Sequence, residues 1–326
     1  MLSGLRRTIA VLASVLAFAA AHAQVSSLDH PDQPTFVVPD IGTQQDLRIL
    51  VYGDMRFTDP ANTKDTNPRA RKWLAEKVGT VRSDAMVITG DVPFQGSDPR
   101  DWEVFEKECA SWARRPRVYP TVGNHELRLD ARAGQRNFFA TFPQLEGNGF
   151  YSVLLGNVFL VTLNSTEPLW PVGRQADWLR EQLDHIPAQA DFVIFSMHIP
   201  LIADTQSEFI ANIPAPEAVS LRRYLEARAV SSRQKFIVVN GHIHNYERFE
   251  FNDITHIITG GGGAAPYPVL IRGPQDQYHD PGFPVFNYVV LTIHGKQLEG
   301  TMYKIADPAA KEYSVVEKDH FVEAAH

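Results

Sequence analysis

The sequence predicts an α/β protein in which two packed β-sheets are covered by helices on their outer faces. Three observations lead to this prediction. Short apolar runs alternate with amphipathic helical stretches, as they do in the βα units of parallel sheets. Other apolar runs come in pairs joined by short turns, which indicates antiparallel hairpins. The chain has 326 residues, 44% of them hydrophobic, which is enough for one large core.

Residues 1–23 have the pattern of a secretory signal peptide. Arg6 and Arg7 precede the apolar stretch Ile9–Ala21, and Ala21-His22-Ala23 matches a cleavage site. That stretch is shorter than the roughly 20 apolar residues that a spanning helix needs. The two arginines also leave twin-arginine export open. No later apolar run reaches spanning length, so we expect a periplasmic or secreted protein with no stable membrane span.

The charge balance argues against a protein that grips nucleic acid. The chain has 31 Lys and Arg against 38 Asp and Glu, a formal net charge of −7. Cleavage after Ala23 would remove two arginines and no acidic residue, leaving 29 against 38, or −9. A surface that binds the phosphate backbone broadly would be basic.

The first half of the chain predicts an arm followed by three strands and three helices. Residues 24–46 contain prolines and aspartates with little periodicity, which predicts an N-terminal arm. Continuous apolar runs predict buried strands, and apolar residues at helical spacing predict amphipathic helices. The strands are Leu47–Tyr52, Asp84–Thr89 and Arg117–Val122, and the helices are Asn67–Val78, Asp98–Arg115 and Ala131–Phe142.

The second half predicts two hairpins and three further strands between them. The hairpins pair Phe150–Leu155 with Asn157–Leu163, and Val285–Ile293 with Gln297–Ile305. The remaining strands are Asp191–Met197, Lys235–Asn240 and Asp253–Thr259, and the helices are Gly173–His185 and Ala215–Ala229. A loop rich in Pro, Asp and Tyr covers Ala264–Pro284, and the last residues, 306–326, are weakly patterned and predict a tail.

Polar residues that can bind metal follow five of the predicted strands. Open α/β sheets bind ligands at the carboxyl ends of their strands, so these side chains are expected at one site. Each alone is explained more simply, since an Asp after Gly is usually a turn residue or a helix cap. Together they predict a shared metal site. They are Asp54, Asp91, Asn124, His198 and the pair His242 and His244.

These segments, in this order, resemble the motifs of the calcineurin-like metallophosphoesterases. The resemblance runs from about Leu47 to Gly263, and Gly241–Arg248 (G-H-I-H-N-Y-E-R) resembles the purple acid phosphatase form of the last motif. It implies a four-layer α/β/β/α sandwich with a single catalytic domain over 47–305. The motifs are Gly53-Asp54, Gly90-Asp91, Gly123-Asn124-His125-Glu126, His198 and Gly241-His242-Ile243-His244.

The resemblance also implies a two-metal centre that activates a water to attack a phosphate ester. The metals would be two divalent, or one divalent and one trivalent, transition metal ions, drawn from Fe, Zn and Mn. Asp91 would bridge them. The first metal would take Asp54, Asp91 and His244, and the second would take Asp91, Asn124, His198 and His242.

His125 is predicted to act on the substrate rather than on a metal. In the family this histidine points toward the leaving-group oxygen, which it can protonate as a general acid. The alternative is that His125 orients Asn124 or the substrate. Asn124, His125 and Arg56 are the residues that we expect to contact the phosphate ester.

Two positions depart from the family pattern. The wider family has His two residues after the first Asp and purple acid phosphatases have Gly, but this chain has Arg56, whose guanidinium cannot ligate a cation. Phe94 stands where purple acid phosphatases have a metal-binding Tyr, so no tyrosinate-coloured ferric centre is expected. Arg56 either holds the substrate phosphate in a bidentate contact or forms a salt bridge that steers Asp54.

The sequence therefore predicts an exported, metal-dependent, acid phosphatase-like hydrolase that acts on small phosphomonoesters. One alternative is a phosphodiesterase acting on nucleotides or lipid headgroups. Another is a degenerate member of the family that binds phosphate or a partner without turnover, which Arg56 and Phe94 suggest.

Overall fold

The computed structural model describes residues 26–43, 46–115, 117–206, 215–278 and 282–326. The predicted signal peptide lies outside these described residues. Within them no helix has the length and apolar character needed to cross a lipid bilayer. The helices are α1 (Pro68–Thr80), α2 (Pro99–Glu108), α3 (Ala131–Thr141), α4 (Arg174–Asp184) and α5 (Pro216–Ser231).

The strands described form two large sheets and one small pair. In chain order they are β1 (Phe36–Val38), β2 (Leu47–Tyr52), β3 (Ala85–Ile88), β4 (Val118–Pro120), β5 (Tyr151–Leu155), β6 (Val158–Thr162), β7 (Phe192–Met197), β8 (Thr205–Gln206), β9 (Lys235–Asn240), β10 (Tyr246–Phe251), β11 (Ile254–Thr259), β12 (Val269–Ile271), β13 (Asn287–His294), β14 (Gln297–Ile305) and β15 (Val315–Ala324). The seven-stranded sheet has the order β1-β5-β6-β7-β9-β11-β10, and the six-stranded sheet has the order β15-β14-β13-β2-β3-β4. Strands β8 and β12 pair with each other.

The strand directions bring the loops of the two sheets to a common edge. Strands β2, β3 and β4 are parallel in the six-stranded sheet. Strands β6, β7, β9 and β11 are parallel in the seven-stranded sheet. Loops that leave the carboxyl ends of parallel neighbours emerge together, so the polar residues after these strands can meet.

The four-layer fold follows from the alternation of apolar side chains along the strands. In the seven-stranded sheet, Ile194 and Ile237 belong to the core shared with the six-stranded sheet and with α1–α3. Their neighbours Val193 and Phe236 belong to the core that includes α4 and α5. Each such burial stabilises the fold by about 1.5–3 kcal/mol. The predicted α/β/β/α sandwich is confirmed.

Helix α2 is shorter than predicted. Its Asp98 cap accepts a hydrogen bond from the backbone N–H of Arg100, as expected at a helix start. The helix ends at Glu108 rather than Arg115, and residues 109–114 form turns. The turns place the Trp112 indole in the core, where its N–H donates to the Ala75 carbonyl at 2.9 Å.

Two segments predicted to lie outside the domain contribute strands to its sheets. The arm contains β1, which pairs in parallel with β5. The tail, residues 306–326, contains β15, which pairs with β14 along the edge of the six-stranded sheet. Only Phe321 of β15 is buried, so the strand lacks the alternating pattern that identifies strands from sequence.

Candidate metal centre

All six predicted metal ligands lie at the shared edge of the two sheets. Asp54, Asp91 and Asn124 follow strands of the six-stranded sheet, while His198 and the pair His242 and His244 follow strands of the seven-stranded sheet. Ligand atoms of Asp54, Asp91 and His198 all lie within 4.8 Å of one another, and all three residues are buried. This group can hold a metal ion.

The backbone at the site is held in an unusual conformation. Four residues have positive φ angles: Asp54 at 57°, Arg56 at 49°, Asp91 at 53° and His242 at 70°. They are half of the eight non-glycine residues with positive φ in the described chain. Such backbone costs on the order of 1 kcal/mol per residue and tends to cluster at functional sites.

Two glycines let the loops approach the carboxylates. A Cβ atom on Gly123 would lie 2.4 Å from Asp91 Oδ1, and one on Gly241 would lie 2.3 Å from Asp54 Oδ2. Either side chain would push a carboxylate out of place. The glycines of the G-N-H-E and G-H-I-H segments are therefore needed for close packing around the two aspartates.

The first group of ligand atoms surrounds Nε2 of His198. Asn124 Oδ1 lies at 3.0 Å, His242 Nδ1 at 3.2 Å and Asp91 Oδ1 at 3.3 Å from it. His198 Nδ1 lies 2.8 Å from the Thr89 carbonyl, to which it must donate, so Nε2 presents a lone pair. Burial lowers the pKa of His198 and lowers that of His242 to about 3, which keeps both imidazoles neutral.

The lone pair of His198 Nε2 therefore faces two oxygen atoms with no proton between them. The Nε2 atom of His198 cannot donate to the Asn124 or Asp91 oxygens in this tautomer, although both lie at hydrogen-bond distance. A cation among these atoms would make the contacts between the nitrogen and oxygen lone pairs attractive. Nitrogen and oxygen ligands in this arrangement fit a transition metal ion such as Zn, Fe or Mn.

The second group contains His244 and Asp54. His244 Nδ1 donates to the Ala265 carbonyl at 2.6 Å, so its Nε2 also presents a lone pair. That Nε2 atom is buried, makes no hydrogen bond within the described residues and lies 3.6 Å from Asp54 Oδ1. Burial lowers the pKa of His244 well below its usual value. A buried lone pair without a partner beside a carboxylate is an arrangement that can bind a cation.

Asp91 lies between the two groups. Its Oδ1 accepts a hydrogen bond from the His125 backbone N–H at 3.0 Å and faces His198. Its Oδ2 accepts hydrogen bonds from Nε and Nη2 of Arg56 at 3.3 and 3.2 Å. Of the two roles considered for Arg56, the salt bridge with Asp54 is wrong in its partner, because the guanidinium pairs with Asp91.

His125 lies at the mouth of the site. Its Nδ1 is 2.5 Å from the Phe94 carbonyl, and its Nε2 is 3.9 Å from Asp91 Oδ2. Burial lowers the pKa of His125 to about 4, so Nε2 carries no proton in the neutral ring whose Nδ1 donates to Phe94. The imidazole therefore faces the site through Nε2. This atom lies on the side of Asp91 Oδ2, the oxygen that Arg56 contacts.

Glu126 fixes the loops that carry Asp91 and Asn124. Its buried carboxylate accepts hydrogen bonds from three backbone N–H groups: those of Asp91 at 3.0 Å, Val92 at 2.8 Å and Gly123 at 2.8 Å. Burial and the charge of Asp91 raise the pKa of Glu126 to about 8, and each of the three hydrogen bonds contributes about 0.5–1.5 kcal/mol. Glu126 thus braces the site without facing it.

We expect Glu126→Gln to destabilise the fold, because an amide has one acceptor oxygen for three donors and turns an NH₂ group toward them. The free energy of unfolding in urea should fall by about 1–3 kcal/mol. Glu103→Gln is the matched control, since Glu103 is exposed on α2, and it should change stability by less than about 0.5 kcal/mol. Equal stability of the two variants would contradict the bracing role.

One residue of the site was not predicted as part of it. Tyr267, which lies in the loop after β11, stacks its ring on His244 with centroids 4.2 Å apart and planes at 20°. Its phenol is hydrogen-bonded to the Arg56 side chain. Sequence reasoning placed Tyr267 only in a long loop. The preceding run Gly260–Gly263, directly after a strand, was the signal that this loop returns to the site.

Comparison with known proteins defines the class. The model of the calcineurin-like phosphoesterase family matches residues 47–246, more than half of the chain, and the protein belongs to that family. Within the family it falls in the purple acid phosphatase-like branch. Purple acid phosphatase 21 of Arabidopsis thaliana is 23% identical over 234 residues, which cover 68% of this chain and 48% of that protein.

Two further comparisons, one of sequence and one of structure, are also with purple acid phosphatases. Probable purple acid phosphatase 20 of the same plant is 25% identical over 253 residues, covering 72% of this chain and 54% of that one. The solved structure of purple acid phosphatase PPD1 from yellow lupin (Lupinus luteus) seeds superimposes with a TM-score of 0.67 at 18% identity, covering 85% of this chain and 55% of that one. The chain spans about half the length of the curated relatives it matches.

Proposed function

We propose that the protein is an exported, metal-dependent phosphoesterase that hydrolyses small phosphate monoesters. The observation that carries this proposal is the opposed set of unprotonated lone pairs on the two sides of Asp91. On one side the lone pair belongs to His198 Nε2, which faces the Asn124 oxygen with His242 Nδ1 3.2 Å away, and on the other side it belongs to His244 Nε2. The site thus offers ligand atoms for two cations that would share the Asp91 carboxylate.

The ligand assignment follows from these contacts. Asp91, Asn124, His198 and His242 would hold one ion, and Asp54, Asp91 and His244 would hold the other. Bound ions would supply Lewis-acid charge and an activated water. The protein's own groups would bind the phosphate: Asn124 is exposed at the rim, and Arg56 and His125 lie beside Asp91 Oδ2.

A phosphate monoester is preferred over a diester because of the charge at the rim. A monoester carries up to two negative charges and offers three terminal oxygens, which suits a guanidinium in addition to two cations. The acid phosphatase names of the relatives agree with this choice. The diesterase alternative would need room for a second esterified group beside His125.

A second candidate function has its own supporting observation. The Arg56 guanidinium pairs with Asp91 Oδ2, the oxygen that a bridging carboxylate would turn toward the Asp54 side. If that ion pair persists, Arg56 supplies the positive charge in place of one metal. The protein would then bind phosphate with little or no turnover.

One paired measurement separates these candidates. The purified protein is analysed for bound metals and is assayed with p-nitrophenyl phosphate and bis(p-nitrophenyl) phosphate. We expect two metal ions per chain and faster hydrolysis of the monoester. Preferred hydrolysis of the bis-ester would indicate the diesterase, and absence of turnover from metal-loaded protein would indicate the phosphate-binding alternative.

We expect Arg56→Ala to weaken substrate binding, since Arg56 is 11% exposed whereas the carboxylate of Asp91 is fully buried. The guanidinium therefore lies on the substrate side. The value of kcat/KM should fall roughly 10–150-fold, the effect of losing a charge-assisted hydrogen bond of about 1.5–3 kcal/mol. Metal content should stay unchanged, because arginine is not a ligand.

Arg128→Ala is the matched control for this prediction. The Arg128 guanidinium lies 4.6 Å from the centre of the Phe94 ring, at the same mouth, and has no carboxylate partner among the salt bridges of the described chain. Its removal should change kcat/KM little. If Arg56→Ala instead lowers metal content, and added Mn²⁺ or Zn²⁺ restores activity, Arg56 serves to orient Asp91 and does not hold phosphate.

A further inference from the structure

Tyr267 reaches the site on a segment that follows the His244 loop closely. Its backbone N–H donates to the His244 carbonyl at 3.1 Å, and its carbonyl accepts from Asn245 Nδ2 at 3.4 Å. Farther along the same loop, the Gly273 N–H donates to Asp204 Oδ1 at 2.6 Å, which ties the loop to the segment after His198. The backbone of Tyr267 is therefore fixed relative to the loops that carry His198 and His244.

The ring of Tyr267 and the carbonyl of Ala265 together fix the His244 imidazole. The Ala265 carbonyl accepts from Nδ1 at 2.6 Å, which sets the direction of the ring within its plane. The Tyr267 ring stacks on the imidazole face at 4.2 Å and 20°, which sets the plane itself. Both contacts point the Nε2 lone pair toward Asp54 Oδ1, 3.6 Å away.

The phenol of Tyr267 fixes Arg56 at the same time. The guanidinium has five N–H donors in a rigid plane, and two of its nitrogens are bound to Asp91 Oδ2. The phenol oxygen of Tyr267 accepts a hydrogen bond from the same Arg56 side chain. A phenol that accepts a hydrogen bond still carries its own proton, so guanidinium and phenol together present positive charge and an O–H donor.

We propose that Tyr267 is a positioning residue that acts on both halves of the site. Through its phenol it holds Arg56 in the orientation that grips a phosphoryl group. Through its ring it holds His244 in the orientation that binds the metal beside Asp54. The inference rests on the proposed function in both parts: the first needs phosphate binding at Arg56, and the second needs a metal held by His244, which can be measured without turnover.

The test uses two substitutions of Tyr267 that separate phenol from ring. Tyr267→Phe removes the oxygen and keeps the stack, whereas Tyr267→Leu removes both. Metal-free protein is titrated calorimetrically with Mn²⁺, and the Mn²⁺-loaded protein is titrated with inorganic phosphate. Tyr313→Phe is the control, because the Tyr313 ring also packs on an arginine, Arg69, at 4.0 Å and its hydroxyl donates to the Pro308 carbonyl at 3.1 Å.

We expect Tyr267→Phe to bind Mn²⁺ as the wild type does and to bind inorganic phosphate roughly 10-fold more weakly. In p-nitrophenyl phosphate hydrolysis its KM should rise by a similar factor while kcat changes little. Tyr267→Leu should show the same loss of phosphate affinity. In addition, it should bind the second Mn²⁺ equivalent roughly 10-fold more weakly. Tyr313→Phe should match the wild type in all three measurements.

The double variant with Arg56→Ala tests whether the phenol acts through Arg56. In that background Tyr267→Phe should have no further effect on phosphate affinity. Additive losses of phosphate affinity would overturn the inference that the phenol acts through Arg56. A Tyr267→Phe protein with wild-type phosphate affinity would overturn it as well. Wild-type Mn²⁺ affinity of Tyr267→Leu would overturn the other half. Failure of the wild type to hydrolyse any ester would refute the proposed function and leave both titrations decisive for Tyr267.

Discussion

Asp91→Asn is expected to remove most of the hydrolytic activity and to weaken metal binding on both sides of the site. Asp91 is fully buried, and its two oxygens face different partners, His198 and Arg56. An amide carries no charge and offers only one acceptor oxygen, so it cannot neutralise two cations. A loss of about 4 kcal/mol of transition-state stabilisation corresponds to roughly 10³-fold in rate.

The measurement is kcat/KM with p-nitrophenyl phosphate together with metal content of the purified variant. Asp32→Asn, at an exposed position of the N-terminal arm, is the matched control and should retain wild-type values. Circular dichroism confirms that both variants are folded. An Asp91→Asn protein that keeps two metal ions and near-wild-type turnover would show that no ions share this carboxylate.

His125→Ala is expected to produce the next largest loss, and its size should depend on the leaving group. General-acid catalysis contributes roughly 10²–10⁴-fold when the leaving group needs a proton. Alkyl phosphates have such leaving groups, whereas p-nitrophenolate departs with little assistance. Nε2 of His125 carries no proton in the neutral ring, so the general-acid role requires the imidazolium form, in which Nε2, 3.9 Å from Asp91 Oδ2, would carry the proton.

Comparing kcat/KM for an alkyl phosphate and for p-nitrophenyl phosphate in wild type and His125→Ala checks this role. A general acid predicts a loss for the alkyl ester that exceeds the loss for the nitrophenyl ester by at least about tenfold. Equal losses would instead assign His125 to orientation of Asn124 or of the substrate, the alternative that its contact with the Phe94 carbonyl allows.

The meeting of the candidate metal ligands at one edge could be predicted from sequence because their positions follow a rule of topology. Each one lies within a few residues of the end of an apolar strand, and parallel strands bring their carboxyl ends to one edge. The structure brings Asp54 and Asp91, which lie far apart in sequence, within one group with His198. Strand order and direction alone bring these residues together, whatever the packing of their side chains.

The contacts of Arg56 and Tyr267 could not be predicted in the same way. Which carboxylate pairs with Arg56 depends on its left-handed backbone, φ 49°, and no local pattern specifies that conformation for arginine. Tyr267 meets His244 and Arg56 through a loop, and loop closure is set by contacts distant in sequence. Phe94 stands at the position that the sequence resemblance gives to a tyrosine of purple acid phosphatases, yet a tyrosine ring from this other loop reaches the site.

The edge strands were missed for a related reason. Strand β1 has only three residues, and β15 is exposed along most of its length. Edge strands exposed on both faces need no alternation of apolar and polar side chains. The central strands β2, β7 and β9 are buried on both faces, so their continuous apolar runs identified them correctly.

The proposal that two metal positions share Asp91 is tested most directly by titrating metal-free protein with Mn²⁺ in a calorimeter. The wild type should bind two equivalents. His244→Ala should retain the equivalent held around His198 and lose or greatly weaken the other, whereas His198→Ala should weaken the equivalent that His244→Ala keeps. A single equivalent that His244→Ala leaves unchanged would contradict the two-metal centre, because the Asp54 and His244 position would then bind no ion.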